Sequence, residues 1–311
     1  MVRVTAPSRI HMTLIDLNGS MGRVDGGIGF ALRHPRMVVE VKRSECLRVR
    51  GGAKEPALRA AELVIERYSL PGAEVHVVES YPRHVGLGSG TQLSLAVARG
   101  ICEAYGISAS VRELARVVGR GGTSGIGVAA FEGGGFILDG GHSRQEKPEF
   151  LPSSASCAKP APVVLRRDFP DWEVALVLPE PQRRVFGTRE VNIFQRFCPV
   201  PISQVERLSH IILMKLLPAL AEEDISAFGE AVNLIQHTGF KEVELMLQAP
   251  NVREILELCQ RLSYGAGLSS FGPVIYAFPR EPRRFLERLR DRRDVRRVWL
   301  TGADNRGARV V

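Results

Sequence analysis

The sequence of 311 residues contains no apolar run that approaches the ~20 residues needed to span a bilayer. Its first residues, Met1-Val-Arg-Val-Thr-Ala-Pro-Ser-Arg9, lack the charged-then-apolar order of a signal peptide. The five cysteines are odd in number and include no C-x-x-C pair, which argues against a zinc site and against a disulfide framework. These absences predict a cytoplasmic protein with buried thiols and no membrane partner.

Aromatic residues make up only 6% of the chain, although its formal net charge is +8. Such a charge suits an anionic substrate or a nucleic acid. Arginines concentrate between Arg280 and Arg297, where acidic residues interrupt them, and this pattern favours a solvated helix face. An RNA-binding module would interleave aromatic residues with the basic ones, and only Phe285 and Trp299 lie near. We therefore expect no nucleic-acid partner, with RNA binding kept as the non-enzymatic alternative.

The chain is long enough for two domains of ordinary size. Hydrophobic periodicity predicts strands over 37–42, 73–78 and 136–139 and a helix over 56–68, and Ser110-x-x-Glu113 has the form of a capping box for a helix ending at 118. A Ser-, Ala-, Pro- and Lys-rich stretch over 143–162 lacks periodicity and predicts a boundary between domains 1–160 and 161–311.

The second half predicts a compact α+β sandwich. The expected order is a strand over 172–178, helices over 203–221, 224–236 and 251–262, a strand over 274–278, the arginine-rich helix and a strand over 295–300.

Three glycine-rich stretches indicate an anion site. Gly86-Leu-Gly-Ser-Gly-Thr-Gln92 precedes a helical run, so its amides and the helix N-terminus suit a phosphate group. No lysine follows its last glycine, which excludes the Walker pattern. The stretches 119–127 and 265–273 are also rich in Gly, Ser and Thr, and we interpret both as loops.

A fourth segment, 7–29, mixes His, Asp and Arg with five glycines. We interpret its backbone as flexible, and ionisable groups beside a flexible backbone suit a site where charge develops. Asp16 and Arg23 are its candidate functional residues. Two plainer interpretations stay open, namely that Asp16 caps the turn before Asn18-Gly19 and that Arg23 is a surface charge.

The ordered motifs Pro7-Ser-Arg-Ile-His11, Gly86-Leu-Gly-Ser-Gly90 and Gly265-Ala-Gly-Leu-Ser-Ser270 resemble the three motifs of the GHMP kinase superfamily. The resemblance covers essentially the whole chain. It implies an N-terminal domain like ribosomal protein S5 domain 2 and a C-terminal ferredoxin-like domain, an α+β fold in which the second motif wraps phosphates.

Many kinases of this superfamily carry a carboxylate in a Ser-Gly-Ile-Asp segment, where this chain has Ser124-Gly-Ile-Gly127. Glycine can neither accept a proton nor bind magnesium through a side chain. A finer resemblance is to a non-kinase branch, the β-ribofuranosylaminobenzene 5′-phosphate synthase family. The matching segments are Arg9-Ile-His-Met-Thr-Leu-Ile-Asp16, Gly22-Arg-Val-Asp-Gly-Gly-Ile-Gly29, Gly86-Leu-Gly-Ser-Gly-Thr-Gln92, Gly125-Ile-Gly-Val-Ala-Ala-Phe131 and Ser270-Phe-Gly-Pro273.

This resemblance implies a reaction that joins 5-phosphoribosyl 1-diphosphate to 4-aminobenzoate as a C-riboside, with loss of CO2 and diphosphate, in methanopterin biosynthesis. The sequence leaves 4-hydroxybenzoate open as the acceptor, because a few pocket contacts decide it. Magnesium is the expected cofactor, without pyridoxal phosphate or a nucleotide, and the expected assembly is a homodimer. The runner-up function is an ATP-dependent small-molecule kinase in which Asp16 or Asp25 replaces the missing carboxylate. An ordinary phosphoribosyltransferase would need paired acids after a strand, and 136–141 contains one acid only.

The implied catalytic residues are Asp16, also an expected magnesium ligand, and Arg23, for a phosphate or the acceptor carboxylate. The implied substrate-binding residues are Gly86, Leu87, Gly88, Ser89, Gly90, Thr91 and Gln92 for the diphosphate, and Arg9, His11, Thr123, Ser124, Gly267, Ser269 and Ser270 for the rest of the cleft. His142 and His237 are interpreted as structural histidines.

Overall fold

The computed structural model describes residues 1–152, 155–156, 158–180 and 188–311. Its central feature is an antiparallel hairpin of two long strands, β1 (Val2–Asp16) and β2 (Arg23–Arg43). The interpretation of 7–29 as flexible is therefore wrong for most of that segment. A Cβ on Gly29 would lie 2.2 Å from the Ile10 oxygen, so this glycine serves close strand packing.

The first sheet has eight strands within the described residues, in the order β12-β1-β2-β4-β3, with β5 and β6 also paired to β2 and β7 paired to β5. Its other members are β3 (Arg48–Gly51), β4 (Ala73–Glu79), β5 (Phe136–Asp139), β6 (His142–Ser143), β7 (Val163–Arg167) and β12 (Arg309–Val310).

Helices of the first half are α1 (Lys54–Tyr68), α2 (Ser89–Tyr105), α3 (Val111–Val117) and α4 (Ile126–Gly133). The predicted capping box is confirmed, because Ser110 Oγ accepts from the Glu113 amide at 3.2 Å and the Glu113 carboxylate accepts from the Ser110 amide at 2.7 Å. Helix α2 lies directly on β2, since a Cβ on Gly100 would come 2.6 Å from Val41 Cγ2. This contact holds α2 against the hairpin.

The second sheet contains β8 (Val174–Pro179), β9 (Ser263–Leu268), β10 (Ile275–Pro279) and β11 (Val295–Thr301). All its pairs are antiparallel and its order is β11-β8-β10-β9. With helices after the first and third strands, this is the ferredoxin-like β-α-β-β-α-β arrangement. The predicted α+β class and the predicted ferredoxin-like unit are confirmed.

Helices of the second half are α5 (Thr188–Phe197), α6 (Ile202–Ile211), α7 (Leu217–Ala221), α8 (Ile225–Ile235), α9 (Phe240–Met246), α10 (Pro250–Leu262) and α11 (Pro282–Arg290). A π-helical turn, Ile212–Leu216, joins α6 to α7 and divides the predicted helix over 203–221. In α11, Phe285 and Leu289 are buried while most arginines of the segment are exposed. The predicted solvated face is confirmed.

The interpretation of 265–273 as a loop is wrong in its first part, which is strand β9. The glycines there allow α8 to approach the sheet, because a Cβ on Gly265 would lie 2.2 Å from the Gly229 oxygen. Because of this close backbone contact, a side chain at Gly229 or Gly265 would require the backbone to shift.

The predicted domain boundary at residue 160 stays a prediction. Strand β7, at the start of the second predicted domain, pairs with β5, and β12 at the chain end pairs with β1. The first sheet therefore includes strands from both predicted domains.

The described cysteines are free thiols: Cys102 and Cys259 are buried, Cys198 is half-buried and Cys46 is exposed. The expectation of a buried thiol is wrong for Cys46, while Cys157 lies outside the described residues. Among the residues that the structure describes, no helix is long and apolar enough to cross a membrane.

The contact between Gly229 and Gly265 leads to a stability prediction. Gly229→Ala would place a methyl group 2.4 Å from the Tyr264 carbonyl, and we expect a loss of about 1–3 kcal/mol of unfolding free energy. Gly133→Ala is the matched control, since nothing lies within 4 Å of its Cβ position. Urea denaturation measures both, and equal midpoints for the two variants would contradict the assigned packing.

Candidate active site

The three motifs meet at one carbonyl group. The Gly86 oxygen accepts from Arg9 Nη1 at 2.6 Å and from Ser269 Oγ at 2.7 Å. Ser269 Oγ also accepts from the His11 amide at 3.1 Å, and the His11 oxygen accepts from the Ser270 amide at 2.9 Å. Tertiary folding thus brings together residues that lie between 77 positions (Arg9 and Gly86) and 259 positions (His11 and Ser270) apart.

The glycine loop ends at an uncapped helix N-terminus. Gly88 precedes α2 in a left-handed conformation at φ 75° and offers no capping side chain. The Arg9 side chain lies against it, because a Cβ on Gly88 would come 3.0 Å from Arg9 Cγ. The first amides of α2 are consequently positioned for an anion.

Arg120 adds positive charge at this helix start. Its Nη1 and Nη2 lie 3.7 Å from the position of a Cβ on Gly90, and its Nε is buried without a hydrogen-bond partner among the described residues. Burial first, and then the cations Arg83 and Arg59, lower the pKa of Arg120. An anion bound here would relieve the repulsion among the three guanidinium groups.

A second cationic group lies beneath the third motif, Gly265–Ser270. Lys241 is fully buried on α9, pairs with Glu244, and donates to the Leu268 oxygen at 3.2 Å and the Ser270 oxygen at 3.3 Å. Burial lowers the pKa of Lys241 and raises that of Glu244. Lys241 therefore holds the third motif in place from below.

His11 lies between these cations. It is 4% exposed, and neither ring nitrogen has a hydrogen-bond partner in the described part of the chain. Burial, followed by Arg9 and Lys241, lowers the pKa of His11 well below its ordinary value, while burial lowers that of Arg9 to about 10. His11 is consequently a neutral imidazole with two unused nitrogen atoms.

Asp16 and Arg23 stand at the end of the hairpin. Asp16 Oδ1 accepts from the amides of Asn18 at 2.7 Å and Gly19 at 2.8 Å, so it caps that turn. Arg23 is exposed and donates to the oxygens of Gly140 and Gly141, each at 2.8 Å. These contacts fit the interpretations of Asp16 as the cap of a turn and of Arg23 as a surface charge. The catalytic roles of both residues stay predictions.

Thr123 belongs to a buried ionic cluster that we call the Asp25 cluster, formed by Asp25, His142, Lys147 and Thr123. Lys147 Nζ contacts the Asp25 oxygens at 2.9 and 3.0 Å and donates to Thr123 Oγ1 at 2.8 Å. His142 Nδ1 lies 2.7 Å from Asp25 Oδ2. Although burial lowers the pKa of His142, the hydrogen bond and charge of Asp25 raise it overall. The cluster joins the hairpin to the 119–127 loop.

Asp139 lies beside this cluster at the end of β5. Its Oδ2 accepts from the Gly125 amide at 2.9 Å and its Oδ1 from the Gly141 amide at 3.0 Å. Burial raises its pKa to about 7, although the two amides oppose this change.

Gly127, near the start of α4, lies where this helix packs against α2. A Cβ there would lie 3.2 Å from Thr91 Cγ2, so the Thr91 side chain fills the space beside the bare glycine. The Gly127 oxygen accepts from Gln92 Nε2 at 2.8 Å, which places the buried Gln92 side chain between the two helices.

Other predicted binding residues take supporting positions. Ser124 Oγ accepts from the Ile126 amide at 3.3 Å near the start of α4. Gly267 lies within β9, where a Cβ would come 2.6 Å from Gln236 Nε2 and 2.7 Å from the Tyr276 hydroxyl. Leu87 is buried with its oxygen accepting from the Arg9 amide, and Ser89 is the buried first residue of α2.

Residues 55–135 match the family described as GHMP kinases N terminal domain, and residues 216–295 match GHMP kinases C terminal. A protein of Methanothermobacter thermautotrophicus named beta-ribofuranosylphenol 5′-phosphate synthase is 48% identical over 99% of this chain and 98% of its own. Proteins of the same name from Archaeoglobus fulgidus and Methanocaldococcus jannaschii are 48% and 43% identical, over 100% and 99% of this chain and 99% of each relative.

The chain belongs to the β-ribofuranosylphenol 5′-phosphate synthase family. It is thus an enzyme, a transferase within the GHMP superfamily. The family membership that the sequence motifs predict is confirmed.

Solved kinases share the fold of this synthase family member. Homoserine kinase from Cytophaga hutchinsonii superposes with a TM-score of 0.68 at 17% identity, covering 100% of this chain and 97% of that chain. Mevalonate kinase from Methanococcus jannaschii gives 0.69 at 12% identity, covering 98% of both chains. Identities this low show the common fold alone.

Sequence reasoning missed several charged residues of the site. Lys147 stands in the stretch interpreted as a boundary, and Lys241 and Glu244 stand on a short helix that was not predicted. An isolated Lys or Asp carries no local signal of burial, because burial arises from distant segments. Asp139 was noticed only as a single acid at a strand end.

The Asp25 cluster leads to a second prediction. Lys147→Met leaves the Asp25 carboxylate buried with one cationic partner fewer, and we expect a loss of about 3–5 kcal/mol of unfolding free energy. Lys215→Met is the matched control, since its pair with Glu230 at 2.8 Å is partly exposed and contributes at most about 1 kcal/mol. Urea denaturation at pH 7 measures both, and a loss below 1 kcal/mol for Lys147→Met would refute the assigned role.

Proposed function

We propose that this enzyme joins 5-phosphoribosyl 1-diphosphate to a 4-substituted benzoate, releasing diphosphate and CO2 and leaving a C-riboside 5′-phosphate. The observation that carries the proposal is the uncapped start of α2 with Arg120 beside it, next to an α4 whose Gly127 offers no carboxylate. This combination suits the binding of a leaving diphosphate better than the activation of an alcohol for phosphoryl transfer.

The chemistry requires charge stabilisation in two places. Negative charge develops on the departing diphosphate, and we assign its binding to the first amides of α2 and to Arg120 beside them. Positive charge develops on the ribose carbon and then on the aromatic ring, which loses CO2 to become aromatic again. When CO2 leaves, the electron pair of the broken carbon–carbon bond returns to the positively charged ring, so the proposal requires no pyridoxal phosphate or nucleotide.

The acceptor is the finer part of the proposal. The sequence resemblance implies 4-aminobenzoate, whereas the relatives are named for a ribofuranosylphenol. A phenol product requires 4-hydroxybenzoate, and both acceptors have an electron-donating group opposite the carboxylate. We propose 4-hydroxybenzoate as the preferred acceptor and 4-aminobenzoate as the competing one.

The described residues do not fit a protein-built magnesium site. No group of three His, Cys, Asp or Glu side chains among them could hold a metal ion. Asp16, the expected ligand, already uses Oδ1 for two backbone amides. We therefore propose that magnesium arrives with the substrate diphosphate.

The expected homodimer stays a prediction, which analytical ultracentrifugation of the full chain would test.

The direct test of the function incubates the full chain with magnesium, 5-phosphoribosyl 1-diphosphate and carboxyl-labelled 4-hydroxybenzoate or 4-aminobenzoate. We expect labelled CO2 and diphosphate in equal amounts, with the higher kcat/KM for 4-hydroxybenzoate. A parallel panel of ATP with small alcohols tests the kinase alternative. ADP formation there, without CO2 release from either benzoate, would overturn the proposal.

Arg120 provides a prediction about substrate binding. Arg120→Met removes a charge-assisted contact worth about 1.5–3 kcal/mol, so we expect a roughly 10- to 100-fold higher KM for 5-phosphoribosyl 1-diphosphate. The KM for the benzoate should stay within about twofold. Arg116→Met, on the exposed face of α3, is the control and should change neither constant. A normal KM for the diphosphate substrate in Arg120→Met would exclude this binding role.

A further inference from the structure

Asp139 is a buried carboxyl group with no function in the proposed diphosphate binding. It is 1% exposed and lies at the end of β5, where Oδ2 accepts from the amide of Gly125, the residue before α4. Its carboxyl group is therefore at the start of the same helix that carries Gly127. Although Gly127 has no carboxylate, strand β5 thus supplies a carboxyl group at the start of α4.

Asp139 and His11 flank the same bare glycine. The position of a Cβ on Gly27 is 3.2 Å from His11 Nε2 and 3.5 Å from Asp139 Oδ2. His11 is neutral and has no partner at either ring nitrogen within the described residues. Two groups able to exchange a proton thus face one point of β2 that has no side chain.

Arg23 positions Asp139 indirectly. Its guanidinium donates to the oxygens of Gly140 and Gly141, and the Gly141 amide donates to Asp139 Oδ1. Arg23 therefore holds the turn whose amide orients the carboxyl group. This link gives the exposed arginine an effect on a buried group that it does not touch.

The charges around Asp139 leave it able to change protonation near neutral pH. Burial raises its pKa to about 7, the Gly141 and Gly125 amides lower it, Asp25 raises it and His142 lowers it. Asp25 is itself paired with Lys147 and His142. The neighbouring charges thus largely compensate one another, and burial dominates.

We propose that Asp139 is the proton acceptor of this active site, taking the proton from the 4-hydroxyl or 4-amino group of the aromatic acceptor during ring attack. The inference rests on the proposed function. As the ring carbon bonds to the ribose carbon, the bond to diphosphate breaks and its electron pair leaves with the diphosphate. The ring becomes positive, and its hydroxyl proton moves to Asp139.

The second half of the step returns that proton. The electron pair of the bond to the carboxyl carbon enters the ring, CO2 leaves, and the phenolic oxygen takes the proton back from Asp139. The overall balance requires no oxidant, reductant or added base. A hydroxyl proton is weakly acidic in the free phenol and strongly acidic in the positive intermediate, so Asp139 acts mainly in the transition state.

The test compares Asp139→Asn with Asp304→Asn. Asp304 is the matched control, being 5% exposed and capping a turn through the Arg306 and Gly307 amides. We expect kcat of Asp139→Asn to fall about 10²–10⁴-fold, with little change in the KM for 5-phosphoribosyl 1-diphosphate. In the wild type, kcat/KM should fall below pH 7, because the carboxylate must be ionised to accept the proton. This acid limb should persist in Asp304→Asn.

A measurement independent of activity confirms which group titrates. Asp139 holds its proton more tightly in the folded state, with a pKa of about 7 against 3.8, so its contribution to stability is present at pH 4 and lost as pH rises to 7. The urea midpoint of the wild type should fall over this range, and that of Asp139→Asn should fall less. An unchanged slope would overturn the assignment.

A wild-type measurement keeps the proposal testable if Asp139→Asn does not fold. With 4-methoxybenzoate, which has no proton to transfer, turnover should be slow and should lack the acid limb near pH 7. Persistence of that limb would overturn the role of Asp139. Absence of CO2 release from all benzoates in the wild type would instead overturn the proposed function.

Discussion

The carbonyl oxygen of Gly86 is the contact on which the arrangement of the site depends. It accepts from Arg9 on the first sheet and from Ser269 beyond the second, so one backbone atom joins both halves of the molecule. A hydrogen bond from a charged group contributes about 1.5–3 kcal/mol, more than a neutral one. Because a Cβ on Gly86 would lie 2.2 Å from the Ser269 oxygen, this junction requires glycine. The loop geometry that follows leaves the start of α2 open.

Two groups of buried charged residues hold elements of the site together. Lys241 and Glu244 support the third motif from below, and the Asp25 cluster ties the hairpin to the loop before α4. Burying ions costs desolvation energy that their attraction only partly offsets, so such pairs seldom increase stability over apolar packing. Burial also sets the protonation of their neighbours, and the charges of the pairs modify it. Burial first, and then Arg9 and Lys241, lower the pKa of His11, while burial raises the pKa of Asp139 to about 7.

The same fold occurs in solved kinases and in this synthase family. At Gly127 the chain has no carboxylate, and Thr91 occupies the adjoining space. The glycine loop and helix start, which suit any phosphate group, are independent of that change. One fold can therefore support different reactions, because the side chains at the site and not the fold decide the chemistry.

Periodicity, capping and glycine spacing were enough to predict the strands and helices with strong local patterns, the α+β class and the three motifs. Ser110-x-x-Glu113 is an example, since its hydrogen bonds close within four residues. The same reasoning interprets the backbone of 7–29 as flexible and 265–273 as a loop, because a glycine required by close backbone contact looks identical in sequence to a glycine in a turn. Only tertiary structure decided that Lys147, Lys241 and Asp139 are buried, since their surroundings come from segments far away in the chain. Burial and charge environment depend on neighbours in three dimensions, and the protonation of the site residues depends on both.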